Sequence, residues 1–302
     1  MTRVAAIQMV SGISLDHNLS QARALLEQAA SAGAELAVLP EYFCVMGHKD
    51  TDKLALREAD GDGVIQRFLA DTARALQMWI VGGTLPLQTT APDRVRNTTL
   101  VFNPTGACVA RYDKIHLFHF DNGRELYDEG RVIEAGNTPV HFDMQARDGQ
   151  RWRVGLSVCY DLRFPELYRA HARAGADLLL VPSAFTHTTG QAHWEVLLRA
   201  RAIENLAYVL APAQGGVHEN GRHTWGRSML VDPWGTVLAQ QDQGPGTVTG
   251  VLDAERAQRV ARPTGLLALL TSWRSQPVVA LATGLWAAWS RRQARHRPAP
   301  AA

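Results

Sequence analysis

Three short stretches carry reactive side chains: "AELAVLPE" ends on Glu41 and "VGLSVCYDLRFPEL" carries Cys159, each after an apolar run, and "RYDKIHLF" carries Lys114 after a predicted hairpin and beside Asp113. A thiol is a natural nucleophile, but a free pKa near 8.5 leaves little thiolate at neutral pH, so it needs a base or a cation beside it. After Cys159 a helix signal begins at "RFPEL", and at such a corner the following backbone N–H groups can face whatever the sulfur attacks. Each residue also has an ordinary reading. Cysteine is among the most buried residue types, Glu41 would pass as a solvated loop acid, and Lys114 as the surface partner of Asp113. Together they fit one reaction. A buried carboxylate can take the thiol proton, and an ammonium can stabilise both the thiolate and the oxyanion of a tetrahedral intermediate. This is the equipment for amide hydrolysis through a thioester.

The elements that must position these groups alternate along the chain. "VAAIQM" has strand length, and Leu19, Ala22, Leu25, Leu26 and Ala29 then recur at helical spacing, with Gly33 near the helix end. "ELAVLPE" reads as the next strand, 63–77 as a helix and 78–85 as a strand. Residues 97–118 read as two strands joined by "NPTG", 152–159 as a strand, and 164–175 as a helix with Pro165 in its first turn. A strand over 176–185, a helix over 191–207, a strand over 208–214, a hairpin turned by "DPWG" and a last strand over 246–253 complete the pattern. Mixed strands and helices without a dividing linker predict a layered α/β sandwich in a single domain.

Composition narrows the function. Thirty-one basic and 29 acidic residues leave a formal charge of +2, so nothing draws the chain in bulk to nucleic acid or an anionic membrane. "MTRVAAIQMV" is too short a run for a secretory signal core, which makes a cytosolic location the expectation. Cys44, Cys108 and Cys159 read as free thiols. The eleven histidines include His116, His119, His187, His193, His218 and His223, but no H-E-x-x-H or Cys-x-x-Cys spacing, so no metal is expected. No glycine set follows a strand in the way that cradles phosphates.

The motifs also resemble a known family, the nitrilase superfamily of carbon–nitrogen hydrolases. "LAVLPEYF", "YDKIHLF" and "VCYDLRFPEL" look like its Glu, Lys and Cys motifs in the family's order, and "HWEVLLRARAIEN" and "GRSMLVDPWG" look like further family segments. The resemblance covers about residues 3 to 256. It implies a four-layer αββα sandwich whose protomers pair as a homodimer or higher homo-oligomer, with no metal or organic cofactor. It makes Glu41 the general base and acid, Lys114 the partner of thiolate and oxyanion, and Cys159 the nucleophile. The Tyr160 N–H would complete the oxyanion hole, and Glu129 aligns with a second family glutamate, with Glu125 and Glu134 close by. "CYDLRFPEL" is closest to the ω-amidase and deaminated-glutathione amidase branch. The expected substrate is therefore a small carboxylate-bearing primary amide, cleaved to ammonia and an acid. Arg163 is then a candidate carboxylate clamp, or else a partner for Glu166; Phe185 and Thr186 are candidate pocket residues. An acyltransferase, an N-carbamoyl amidohydrolase and a non-catalytic binding protein are the alternatives on the same fold.

The hydrolase domain is expected over residues 1–258, with 259–302 an atypical extension. Its longest uncharged stretch, Ser275 to Ser290, contains Pro277 and falls short of the roughly 20 residues that span a bilayer, so no stable membrane association is expected. Family members commonly end on a segment like Arg-Val-Arg-Ala-Gln-Leu. One inserted base converts suitable codons for it into Arg-Val-Ala-Arg-Pro-Thr, which stands at Arg259 to Thr264. The extension is thus expected to be partly disordered or out of frame. Resequencing across this point is expected to reveal the insertion, and a clean read in the present frame overturns it.

Overall fold

The computed structural model describes residues 1–121, 123 and 126–255. Glu125 and the extension from 259 onward, with the expectations attached to them, lie outside the described residues. β1 (Thr2–Gln8) leads to α1 (Leu15–Ser31), whose N-terminus is capped by Ser14 accepting from the His17 N–H at 3.4 Å. Leu19, Ala22, Leu25, Leu26 and Ala29 form its buried stripe, as their spacing predicts, and Gly33 turns the chain at φ +82°. There follow β2 (Leu36–Val38), the short α2 (Asp52–Ala55), α3 (Val64–Leu76), β3 (Trp79–Val81) and β4 (Leu85–Gln88). β5 (Val95–Phe102), β6 (Cys108–Asp113) and a small hairpin of β7 (His119–Asp121) and β8 (Leu126–Asp128) complete the first half. The second half holds β9 (His141–Gln145), β10 (Arg151–Leu156), α4 (Pro165–Arg173), β11 (Leu178–Leu180) and α5 (His187–Asn205). It ends with β12 (Tyr208–Ala211), β13 (Met229–Val231), β14 (Val237–Gln240) and β15 (Gly246–Leu252).

Two sheets result. The first runs β15-β1-β2-β3-β5-β4 with β6 beside β5, and the second runs β14-β13-β12-β11-β10-β9. In each, three parallel strands sit at the centre: β1, β2 and β3 in one, β10, β11 and β12 in the other. Strands covered on both faces read as unbroken apolar runs, which is why "LAV", "LLL" and "YVLA" show no alternation. Successive side chains of the first sheet still part to opposite faces. Ala5, Ile7, Ala37, Leu39 and Ile80 pack with α1 and α3, whereas Val4, Ala6, Leu36, Val38 and Val81 join Leu156, Leu178, Leu180 and Leu210 of the second sheet. α4 and α5 contribute Leu167, Tyr168, Trp194, Leu198 and Ala202 to that same cluster, with α5 lying on β12 and β13. The layers are therefore αββα.

Three differences from the sequence expectation have physical causes. The strand expected over 78–85 stops at Val81, because Gly83 bends at φ +47° so closely to the turn after β2 that a Cβ there would stand 2.0 Å from the Pro40 carbonyl oxygen. α5 begins at His187, not Gln191; its cap is Thr186, and Gly190 lies inside the helix where only a bare backbone fits against Trp225. β9 alternates exposed and buried residues along "HFDMQ", too polar a run to read as a strand without its partner β10.

Gly83→Ala is expected to lower stability by at least about 2 kcal/mol and to reduce activity, because the added methyl strikes main chain next to Glu41. Gly149→Ala, also at positive φ but with open space around it, should cost only about 1 kcal/mol, both read by urea denaturation.

Candidate active site

The three reactive residues leave strand ends of both sheets. β2 continues through Leu39 and Pro40 to Glu41, and Tyr42 then reverses the chain at φ +57°, its N–H donating to Thr84 Oγ1 at 2.9 Å. β6 continues one residue to Lys114, whose N–H reaches the Asn97 carbonyl at 3.0 Å. β10 runs through Ser157 and Val158 to Cys159, which opens a 3-10 turn (Cys159–Arg163) at φ +49°, with its N–H donating to the Pro182 carbonyl at 3.0 Å. A left-handed cysteine costs backbone energy and is retained only where the surroundings enforce it.

Asp161 supplies much of that enforcement. Fully buried, it accepts from the Val158 N–H at 2.8 Å and the Tyr112 hydroxyl at 2.6 Å on one oxygen, and from the His116 N–H at 3.0 Å on the other, which also faces His116 Nδ1 at 2.7 Å. Tyr112 and His116 flank Lys114 in sequence. One carboxylate thus fixes the Cys159 corner to the strand end that carries the lysine.

Lys114 and Glu41 are each 1% exposed and Cys159 is 7% exposed. Lys114 Nζ lies 2.8 Å from Glu41 Oε1 and 2.8 and 3.0 Å from the two oxygens of Glu129. Asn97 Nδ2 and the Ala184 N–H each donate to Glu41 at 3.0 Å. Glu129 accepts from the Tyr42 hydroxyl at 2.5 Å and the Phe118 N–H at 2.7 Å. The structure therefore brings Glu129 to the lysine, whereas Glu134 pairs with Arg96. Cys159 faces the same group, close enough that the Glu41 charge acts on its thiol.

Charge follows from these contacts. Burial alone would discharge Lys114, but Glu129 and Glu41 outweigh it and raise the ammonium pKa, so the lysine stays protonated. Burial pushes Glu129 up, yet Lys114 more than reverses this and holds it below the ordinary carboxylate value. Burial and then the Glu41 charge raise the Cys159 thiol well above normal, with Lys114 pulling back. The resting site thus holds a protonated thiol, one ammonium and an ionised Glu129, with the Glu41 carboxyl group bonded to the lysine beside them. Cys44, three residues beyond Glu41, is different: its thiol points to the Thr84 carbonyl and burial pushes it up to about 12, a packing role.

Beyond the sulfur lies a pocket of about 210 Å³ lined by Phe118, Cys159, Tyr160, Arg163, Ala184, Phe185, Thr186 and Thr189. Tyr160, Arg163, Phe185 and Thr186 thus share one cavity with Cys159. The Arg163 guanidinium lies over the Tyr160 and Phe185 rings, and both terminal nitrogens stand 3.3 Å from His193 Nδ1. No ion pair to Glu166 forms; His193 takes that place. Asn97, Asp161, Phe118 and Thr189 were not singled out from the sequence, and His193 was weighed there only as a metal candidate. Asp161 and Phe118, inside the cysteine and lysine motifs, and His193, which opens "HWEVLLRARAIEN", carried a positional signal. Among the described residues no three His, Cys, Asp or Glu side chains form a group that could hold a metal ion, and no helix is long and apolar enough to cross a membrane.

Because folding favours the ionised form of Glu129, its contribution to stability is complete above the ordinary glutamate pKa of about 4.3 and is lost as pH falls through the lower folded-state value. Glu129→Gln should therefore cost about 1–3 kcal/mol near pH 7, with the gap to the parent closing below about pH 4 in denaturation midpoints.

Comparison with known proteins fits this arrangement. The carbon-nitrogen hydrolase family model matches residues 3–262. The deaminated glutathione amidase of Synechocystis sp. is 40% identical over 259 residues, covering 85% of this chain and 93% of that protein. The crystal structure of the C. elegans NitFhit protein superposes with a TM-score of 0.77 at 35% identity, covering 86% of this chain and 62% of that longer one. An amidase mutant from Nesterenkonia sp. AN1, carrying the result of Michael addition of acrylamide at its active-site cysteine, gives 0.72 at 27% identity and covers 85% and 96%. The chain belongs to the carbon-nitrogen hydrolase family of the nitrilase superfamily and is an amidase.

Proposed function

We propose that Cys159, Glu41 and Lys114 carry the hydrolysis and that the substrate is a carboxylate-bearing amide of the deaminated-glutathione type. The observation behind this is the buried contact of Lys114 with two carboxylates beside a protonated thiol on a left-handed corner. Glu41 takes the thiol proton as sulfur attacks the amide carbon. The developing oxyanion meets the Lys114 ammonium and the Tyr160 N–H. Collapse breaks the C–N bond as Glu41 passes its proton to the leaving nitrogen, which leaves a thioester. A water deprotonated by Glu41 then attacks, the acid departs, and the proton returns to sulfur. Glu129 stays ionised throughout as the standing counter-charge to Lys114, so Glu41 alone changes protonation. Arg163, between Tyr160 and Phe185, is placed to bind the acyl carboxylate with both guanidinium nitrogens, which His193 holds in the meantime.

One expectation needs correction on chemical grounds. Deaminated glutathione has no primary amide; its keto acid is joined to cysteinylglycine, so the leaving group is an amine and not ammonia. An ω-amide such as α-ketoglutaramate would release ammonia from the same acyl-enzyme. The relatives' names favour the former. We further read the enzyme domain as residues 1–258, the state as a homodimer or higher oligomer, and the location as cytosolic. The three unpaired cysteines suit a reducing compartment.

Cys159→Ala is expected to abolish turnover, and brief mixing of the parent enzyme with substrate should add the acyl mass at Cys159. Glu41→Gln should lower kcat by roughly 10²–10⁴-fold. Full activity in Cys159→Ala overturns the assignment.

A further inference from the structure

Next to the Cys159 pocket lies a second, wider cleft of about 710 Å³, to which Tyr42, Lys49, Lys53, Tyr127, Asn220 and Arg222 contribute walls. An aromatic pair separates the two: Tyr127 packs 5.7 Å from Phe118, which lines the Cys159 pocket. Tyr42 closes the other side, next in sequence to Glu41 and bonded through its hydroxyl to Glu129. The cleft is thus adjacent to the reacting groups but takes no part in the steps above.

Its lining is cationic. Lys49, Lys53 and Arg222 face one acid, Asp50, which stands 3.4 Å from Lys53 Nζ. The Lys53 ammonium rests 4.8 Å above the Tyr42 ring and Arg222 lies 5.1 Å over the Tyr127 ring. Stacked cations of this kind are oriented in advance, and among the described residues no carboxylate pairs with Arg222. Asn220 Nδ2 donates to the Gly47 carbonyl at 2.6 Å, fixing the loop that presents His48 and Lys49. This is a half-buried, prearranged surplus of positive charge.

We propose that this cleft is the leaving-group site, where Arg222 and Lys53 hold the carboxylate of the peptide amine released from a deaminated-glutathione type substrate. The inference rests on the amidase reading above and deepens it. The Cys159 pocket takes the acyl portion with Arg163, and the amine portion then passes along the Phe118–Tyr127 pair toward the wider cleft. A substrate losing ammonia has nothing to place there.

The test compares deaminated glutathione with α-ketoglutaramate. In Arg222→Met the ratio of their kcat/KM values should fall roughly tenfold, through KM for deaminated glutathione, and Lys53→Met should act in the same direction. An unchanged ratio, or equal losses on both substrates, overturns the site. Cysteinylglycine titrated into Cys159→Ala protein gives a readout independent of turnover: saturable binding is expected, weakened about tenfold by Arg222→Met. Such binding in an enzyme that turns over neither substrate would support the site and sink the catalytic reading; no binding sinks the site.

Discussion

Everything at the centre of this molecule depends on one buried ammonium. Lys114 is all but sealed from solvent, and removing a charge from water costs several kcal/mol unless opposite charge and hydrogen bonds replace the lost hydration. Two carboxylates do so, and they divide the task. Glu129 is itself tied down by Tyr42 and the Phe118 N–H, so its charge is fixed. Glu41, bonded to Asn97, Ala184 and the lysine, also acts by its charge on the Cys159 thiol, and in the mechanism proposed above it exchanges a proton while Glu129 compensates the lysine.

No single element could assemble this set. Glu41 and Lys114 come from the ends of strands in the first sheet, Cys159 and Ala184 from segments that follow strands of the second. Facing the two sheets across a shared apolar layer brings these ends to one edge of the sandwich, and tight contacts refine their positions. Gly83 lets the main chain press against Pro40, while Asp161 binds the cysteine corner to Tyr112 and His116. The glycine acts by lacking a side chain, and the aspartate by offering acceptors to several donors at once.

This distinction explains what was legible in the sequence. Glu41 and Cys159 could be singled out because each follows an apolar run, where a polar group has a limited set of uses, and Lys114 because it stands at the end of a predicted hairpin and completes the same chemistry. The layered α/β mixture was legible for a similar reason, since period and length separate helices from doubly covered strands, whereas the four-layer αββα order was implied only by the family resemblance. Asn97 was not, because it sits inside a strand whose pattern looks like ordinary sheet, and only pairing with β4 and β6 aims its amide at Glu41. His193 was weighed only among the histidines of a possible metal group, and its contact with Arg163 arises only when α5 lies beside the cysteine corner. The break at Gly83 was lost for the converse reason: two glycines in an apolar run resemble a weakened strand until the chain they must admit is known.

The raised Cys159 pKa carries a consequence for the life of the protein between turnovers. Oxidants attack the thiolate, and their selectivity follows the thiolate fraction together with access. In this fold the sulfur is enclosed and keeps its proton more firmly than a cysteine in an unfolded chain would. The same carboxylate that we propose activates the nucleophile therefore helps hold the proton on it at rest, which lowers its reactivity toward oxidants. Resistance to oxidation and the proposed reactivity toward substrate are two settings of one proton.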